Sequence, residues 1–313
     1  MIKVGITGGH HPAAGELIRI LINHPDIELQ WVAAPELAGR MISGFHKGLL
    51  GETYMRFTDE ASIDDIDVLF MCPGEQNENK SFLESIEIPE NLKIIDLSSD
   101  FRISDSDSEW VYGLPELNRK PLVRGAKRSA IPGAYATIVA LSLLPMAKNL
   151  MLNGDIHVAA VAPSGEFDDN RPGEAIALLD HEEVDEIKYA LRQLQSSFNS
   201  DIKFVATAGG WKRGLTATVY LDTNVSEDEL KNIYDEFYED HNFTFLSDTV
   251  PSLADVIGTN KCIIHIQKAG NTLAITSVLD AKLKGEASNA VHNMNLLFGL
   301  QERVGLTLKA AGE

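Results

Sequence analysis

The sequence holds only two cysteines, Cys72 and Cys262. Each lies in an apolar, strand-like run, Val68 to Cys72 and Cys262 to Ile266, so two buried thiols are expected. Neither a disulfide framework nor a cysteine-based metal site is supported. The chain also lacks any apolar run of the ~18 residues that a membrane helix needs. Basic residues are scarce: 27 Lys and Arg stand against 46 Asp and Glu, a net charge of −19. Such a chain repels phosphate backbones and anionic membrane surfaces, so neither nucleic acid nor a membrane is expected as a partner. Any anionic substrate would need locally placed Arg, Lys or helix N-termini. The segment from Met1 to Gly9 runs straight into a strand and shows no basic-then-apolar signal segment. A soluble cytoplasmic protein is expected. Internal repeats and low-complexity tracts are also missing.

What is present is an ordinary globular balance, 44% hydrophobic and 23% charged residues. At ~150 residues per domain, 313 residues suggest two domains. The first third alternates strand and helix. Ile2 to Thr7 reads as a strand, Glu16 to Asn23 as a helix on the stripe Leu17, Ile20 and Leu21, and Glu28 to Ala34 as a second strand. His24-Pro25 stops the helix, because the residue before proline is pushed out of the helical region. Asp67 to Cys72 and Lys93 to Leu97 are further apolar runs. This alternation is the signature of an α/β, doubly wound parallel sheet.

From about Asp155 the pattern changes. Strand-like runs fall at Ile156 to Ala162, Phe204 to Ala208, Leu215 to Asp222, Cys262 to Gln267 and Leu273 to Val278. The last two flank Lys268 to Asn271, a hairpin signal. Helices fit Glu182 to Ser197 and Glu227 to Tyr238, the second opening with Ser226 and Glu229 at capping-box spacing. A last helix fits Ala287 to Leu300. This half reads as an α+β domain.

Gly5 in the first strand and Gly8, Gly9 and Gly15 after it lead into the first helix, at the turn where a dinucleotide fold places its pyrophosphate. Gly8 can supply the tight turn, and the helix N-terminus can hold an anion. His11, however, falls where a small residue is wanted, and Pro12 deletes an N–H donor. The expectation is a cofactor site weakened or lost at His11-Pro12, or a turn that binds nothing. After the second strand, Glu36 suits a ribose hydroxyl and Arg40 suits a 2′-phosphate, so NAD and NADP both remain open. His10-His11 lacks a third ligand at fixed spacing, so no metal is expected.

Asp96-Leu-Ser-Ser-Asp-Phe-Arg102 and Tyr112-Gly-Leu-Pro-Glu-Leu117 resemble motifs of the N-acetyl-γ-glutamyl-phosphate reductases, members of the semialdehyde dehydrogenase superfamily. The resemblance is collinear over essentially the whole chain. It takes in Gly15-Glu-Leu-Ile-Arg19, His24-Pro25, Arg213-Gly214, Lys284-Gly285 and Asn293-Met-Asn-Leu-Leu-Phe-Gly299. It implies a Rossmann-like dinucleotide domain, residues 1–134 with 289–313, and an α+β domain of catalytic and oligomerisation type, residues 135–288. It implies a homo-oligomer, a small anionic amino-acid derivative as substrate, NADP as cofactor, and a place in arginine or ornithine biosynthesis. In that family a cysteine attacks an acyl phosphate, phosphate leaves, and hydride from NADPH reduces the thioester to an aldehyde. A thiolate suits both steps, a histidine serves as acid and base, and backbone and Arg donors hold the phosphate.

The chain departs from that pattern where the chemistry sits. The family's nucleophile motif N-P-G-C-[YF]-[AP]-T reads here Ile131-Pro-Gly-Ala134-Tyr-Ala-Thr137, so Ala134 stands at the cysteine position. Of the family's H-x-H pair, His181 survives, either as an acid/base or as an exposed histidine beside Glu182 and Glu183, and the second position is Glu183. The small-residue phosphate loop reads Pro163-Ser-Gly-Glu-Phe-Asp-Asp169. The A-H-G turn reads Gly74-Glu-Gln76, and the late K-G-A-A-G-Q run reads Lys284-Gly-Glu-Ala-Ser-Asn289. Arg102 resembles a phosphate-contacting arginine, with an ion pair to Asp100 or another acid as the alternative. Arg213 is either a substrate contact or part of a turn that starts a strand. Two readings follow: a catalytically lost or repurposed paralogue, paired with itself or with an active reductase as a regulatory subunit, or a reductase of an imine or aldehyde that needs no thioester.

Overall fold

The structure, a computed structural model, describes residues 1–105, 107–164 and 171–310. The chain divides into two compact units. Met1–Pro132 joins Glu286–Thr307, and Gly133–Gly285 joins the tail from Leu308. The sequence-based boundaries, 134 and 288 with the whole tail in the first domain, lie a few residues away from these.

The first unit opens with β1 (Ile2–Thr7), α1 (Pro12–Leu21), β2 (Ile27–Val32), α2 (Ile42–Phe45), β3 (Val68–Met71), α3 (Glu78–Glu84) and β4 (Lys93–Asp96). It continues with β5 (Trp110–Tyr112), α4 (Pro115–Val123) and β6 (Arg128–Ala130). The six strands form one sheet in the order β2-β1-β3-β4-β6-β5, with every pairing parallel. The apolar runs of β1, β3 and β4 are buried on both faces, as a parallel sheet covered by helices requires. α1 starts four residues before the expected Glu16, because Pro12 takes the first helical position, where a fixed φ and a missing N–H cost nothing. It ends before His24-Pro25, as expected.

The second unit starts at α5 (Ala134–Lys148), followed by β7 (Ile156–Ala162), β8 (Ala175–Leu179), α6 (Glu183–Arg192), β9 (Ile202–Ala208) and β10 (Leu215–Asp222). Then come α7 (Glu227–Tyr238), β11 (Thr244–Leu246), β12 (Cys262–Ala269) and β13 (Thr272–Leu279). Its sheet has the order β11-β12-β13-β10-β7-β9-β8. The β7–β9 and β11–β12 pairs are parallel and the others antiparallel. One face alternates into the core. On the other, His157, Ala159, Tyr220 and Gln267 are exposed. The β12–β13 hairpin turns at Gly270, φ +60°, as the glycine signal predicted. α5 is buried on every side from Ala136 to Ala147. α7 is tied to it by Tyr234, whose hydroxyl donates to the Ser142 carbonyl at 2.5 Å, and by Tyr238, which donates to the Leu141 carbonyl.

α8 (Ser288–Leu297) belongs to the first unit and is buried along its length. It carries five polar side chains into that interior, Ser288, Asn289, His292, Asn293 and Asn295. Buried polar groups persist only when bonded. Asn289 and Asn293 both donate to the Gly113 carbonyl, at 3.1 and 2.9 Å, and Ser129 donates to Asn293 at 2.8 Å. His292 pairs with Glu302 at 2.7 Å.

Candidate functional site

All six strands of the first unit run the same way, so their carboxyl ends share one edge. Chain order reverses between β1 and β3, which makes their ends the switch point where open α/β sheets bind ligands. Gly8 follows β1 with φ +66°, and a Cβ there would lie 3.0 Å from the Cys72 Cβ after β3. Only glycine fits both constraints. Gly15 is required in a different way: a Cβ would lie 2.7 Å from Nδ1 of His46. Gly5 and Gly9 are likewise packed close against Trp31 and Val32. Thr7 places its Oγ1, buried and without a protein hydrogen-bond partner, at the end of β1.

The expected obstruction at His11-Pro12 takes another form. Pro12 removes a donor that an α-helix leaves unpaired at its first position. The His11 ring turns back as the N-cap, its Nδ1 accepting from Ala13 N at 3.2 Å. Burial, with His10 and His46 nearby, lowers the His11 pKa to about 4, so the ring is neutral at pH 7. His46 bonds the Gly9 carbonyl through Nε2 at 2.7 Å, and burial lowers its pKa as well. His10 binds Glu36 at 2.6 Å, so the acid expected to meet a ribose is held by a histidine of the same loop. Arg40 is exposed. Among the described residues no three His, Cys, Asp or Glu side chains gather as a metal site.

β4 ends in Asp96, fully buried, which accepts from Asn79 Nδ2 and Ser98 Oγ, both at 2.7 Å. Burial raises its pKa to about 6 against those bonds. Asn79 also donates to the Cys72 carbonyl at 3.1 Å, which fixes the turn after β3. Arg102 directs Nε to the Ile131 carbonyl at 2.9 Å and Nη2 to the Leu97 carbonyl at 3.2 Å. It holds the backbone after β4 to the backbone after β6. Asp100, offered as its ion-pair partner, accepts from the backbone N–H groups of Asn77 and Lys80. The Cys72 thiol is fully buried and its pKa is raised well above the usual thiol value, chiefly by burial, so it is inert toward electrophiles.

In the second unit, Ala134 is the first residue of α5, with Gly133 as N-cap. Two carboxylates of α6 close this helix end. Glu186, 3% exposed, accepts from Gly133 N at 3.0 Å, and Glu183 accepts from Ala136 N at 2.7 Å. A Cβ on Gly133 would lie 2.2 Å from Glu183 Oε2, so the glycine makes room for that carboxylate. Gly285 comes equally close to Ala134: a Cβ there would lie 2.8 Å from the Ala134 Cβ. His181 lies beside the same helix end, with its ring 4.9 Å from Tyr135 and 5.3 Å from Phe204. Its Nδ1 accepts from Glu183 N at 3.2 Å. Thr137 is fully buried and its hydroxyl has no hydrogen-bond partner in the protein. The structure therefore gathers Ala134, His181 and Glu183 at one place. Glu186, which the sequence analysis passed over, belongs to the same place. Its only signal was an acid three residues after Glu183 on one helical face.

Arg213 is anchored by the fully buried Asp280, Nε to Oδ2 at 2.5 Å. Asp280 also accepts from the backbone of Gly258 and Lys282. Gly214, φ +99°, then turns the chain into β10. Of the loop Pro163 to Asp169, residues 165–169 lie outside the described residues, as does Ser106 of the polar stretch 104–109.

Residues 3–124 match the family described as semialdehyde dehydrogenase, NAD binding domain, and residues 170–281 match semialdehyde dehydrogenase, dimerisation domain. A protein of Parabacteroides distasonis named N-acetyl-gamma-glutamyl-phosphate reductase is 47% identical over 320 residues, covering 99% of each chain. One of the same name from Bacteroides thetaiotaomicron is 46% identical with the same coverage. In fold, the chain is similar to aspartate semialdehyde dehydrogenase II of Vibrio cholerae, with a TM-score of 0.72 at 14% identity over 96% of this chain and 98% of that one. The aspartate semialdehyde dehydrogenase of Candida albicans, solved with NADP, also gives 0.72, at 12% identity over 95% and 98%. With relatives this similar over the full length, the chain belongs to the N-acetyl-gamma-glutamyl-phosphate reductase family, a branch of the semialdehyde dehydrogenases.

Proposed function

We propose that this chain is a repurposed member of the family that does not reduce acyl phosphates through a thioester. The observation that carries this reading is the start of α5. The side chain at the position matching the family's cysteine is a methyl group, and the helix end beside it is filled by Glu183 and Glu186. Methyl carbon cannot attack an acyl phosphate. The two cysteines are buried, and the nearby hydroxyl of Thr137 is sealed in the core. Intact-mass measurement after exposure to an acyl phosphate tests this. No acyl adduct is expected, and a thioester on Cys72 or Cys262 would overturn it.

A second reading, reduction of a neutral carbonyl or imine without a covalent intermediate, is favoured by the β1–α1 loop. Its glycines keep the tight backbone path, and Pro12 and His11 fit as a helix start. A nicotinamide dinucleotide would be held by the Gly8–His11 loop and the Thr7 hydroxyl, with Arg40 toward a 2′-phosphate, and would supply a hydride. Titration with NADPH and NADH, followed by nicotinamide fluorescence, tests it: micromolar binding is expected, and no binding up to millimolar overturns it. We also propose self-association through the open face of the second sheet, where Tyr220 and Phe245 are 41% and 40% exposed.

A further inference from the structure

Glu183 belongs to a short list of side chains whose position is enforced by a neighbour's lack of one. The N-terminus of a 15-residue helix attracts anions, because its first amides point outward and the dipole is positive there. At α5 that attraction is already answered. The N-cap is Gly133, which has no side chain to cap with, and the third amide of the helix, Ala136 N, is bonded by Glu183. Any residue with a Cβ at 133 would collide with the carboxylate. Gly133 N itself is taken by Glu186 from the next turn of α6. Two donors of this helix end, Gly133 N and Ala136 N, are therefore occupied by the chain's own anions. Among the described residues, Tyr135 and His181 are further titratable groups at this end, and the Nδ1 of His181 accepts from Glu183 N.

We propose that Glu183 sets the charge specificity of this site by acting as an internal anionic ligand. Its carboxylate holds the place that a phosphate or carboxylate would take, so the site beside Ala134 refuses acyl phosphates and carboxylates and accepts uncharged carbonyl compounds. Glu186, deeply buried, is the structural half of the pair, and Glu183 is the half that decides what may approach. The proposal rests on the reading that Ala134 marks the substrate site.

A thiol introduced by A134C reports the field at this helix end directly. Its alkylation rate by iodoacetamide is measured against pH, with wild type as the blank because Cys72 and Cys262 are buried. A thiol at a helix N-terminus ordinarily titrates below ~8.5. With Glu183 in place, the introduced thiol is expected at or above that value, and in A134C/E183Q it falls by about one pH unit, so that ~10-fold more thiolate is present at pH 7. A thiol already well below 8 in A134C, or one unmoved by E183Q, overturns the proposal. Should A134C fail to fold, E183A decides alone. Inorganic phosphate titrated into 15N-labelled E183A is expected to shift the Ala136 amide, and not to shift it in wild type. Equal behaviour of the two proteins overturns the proposal. These readouts need no turnover, so they fail separately from the proposed function, which fails if the wild-type protein is acylated by an acyl phosphate.

Discussion

Replacing Asn295 with Ala tests whether the late motif Asn293 to Gly299 is kept for the fold. Asn295 is fully buried on α8 and joins three parts of the first unit. His24 meets its Oδ1 through Nε2 at 3.1 Å. The same His24 accepts from Asp26 N through Nδ1, which leaves the proton on Nε2, so His24 donates to Asn295. Asn295 Nδ2 then donates to the Glu302 and Val304 carbonyls, at 3.1 and 2.9 Å. N295A removes three hydrogen bonds and leaves the His24 N–H, the buried Glu302 carbonyl and the part-buried Val304 carbonyl each short of a partner. At about 1 kcal/mol for each stranded group, the loss is about 3 kcal/mol, before any cavity is counted. N295D costs more, because it turns a carboxylate toward two carbonyl oxygens. The unfolding of the first unit is followed by Trp31 and Trp110 in a W211F background, since Trp211 lies in the second unit. A 3 kcal/mol loss corresponds to a fall in Tm of roughly 6–12 °C. A loss under about 0.5 kcal/mol in urea, the range of an ordinary surface substitution, would show that these contacts do not hold α8 and refute the reasoning.

Two pH effects in the first unit run in opposite directions. His11 has a folded pKa of about 4 against an ordinary 6.5, so its contribution is complete above pH 6.5 and is lost as pH falls toward 4. H11N keeps an acceptor for Ala13 N without titrating, and urea midpoints are expected to show a shallower loss over that window. Asp96 has a folded pKa of about 6 against 3.8, so its burial weakens the fold as pH rises from about 4 to 6, and the cost stays in full above that. D96N keeps an acceptor for Asn79 through its amide oxygen, while the bond with Ser98 must reverse so that the hydroxyl accepts from the new NH2. It is expected to stabilise at pH 7 by on the order of 2 kcal/mol and to leave pH 4 unchanged. Equal effects at both pH values would contradict the Asp96 assignment.

Much of the first unit is legible in the sequence because its strands are short apolar runs between turn residues. β1, β3 and β4 fall where apolar patterning puts them. α5 is not legible in this way. It is apolar on every side, so no 3.6-residue stripe marks it, and Pro145 interrupts the helical signal. β5 and β6 have three residues each, too few to show a period. α4 hides behind Pro115 and Pro121. At the site, Ala134 and Glu183 are visible as departures from a motif, while the closure of α5 by Glu186 is a tertiary contact 53 residues away in sequence. His11-Pro12 shows the opposite limit. Residue types alone suggested an obstruction, and the backbone turns the same two residues into a helix cap. Arg102 and Asn295 show why motif likeness can outlast chemistry: both bond backbone carbonyls that hold the first unit together.

The most direct test is steady-state reduction of N-acetyl-γ-glutamyl phosphate with NADPH, run beside the Bacteroides thetaiotaomicron relative. Without a nucleophile at residue 134, turnover is expected to be at least ~10³-fold lower, and A134C alone is expected not to restore it while Glu183 remains. Turnover within about tenfold of the relative, or full rescue by A134C, would contradict the claim that this member of the family has left acyl-phosphate chemistry.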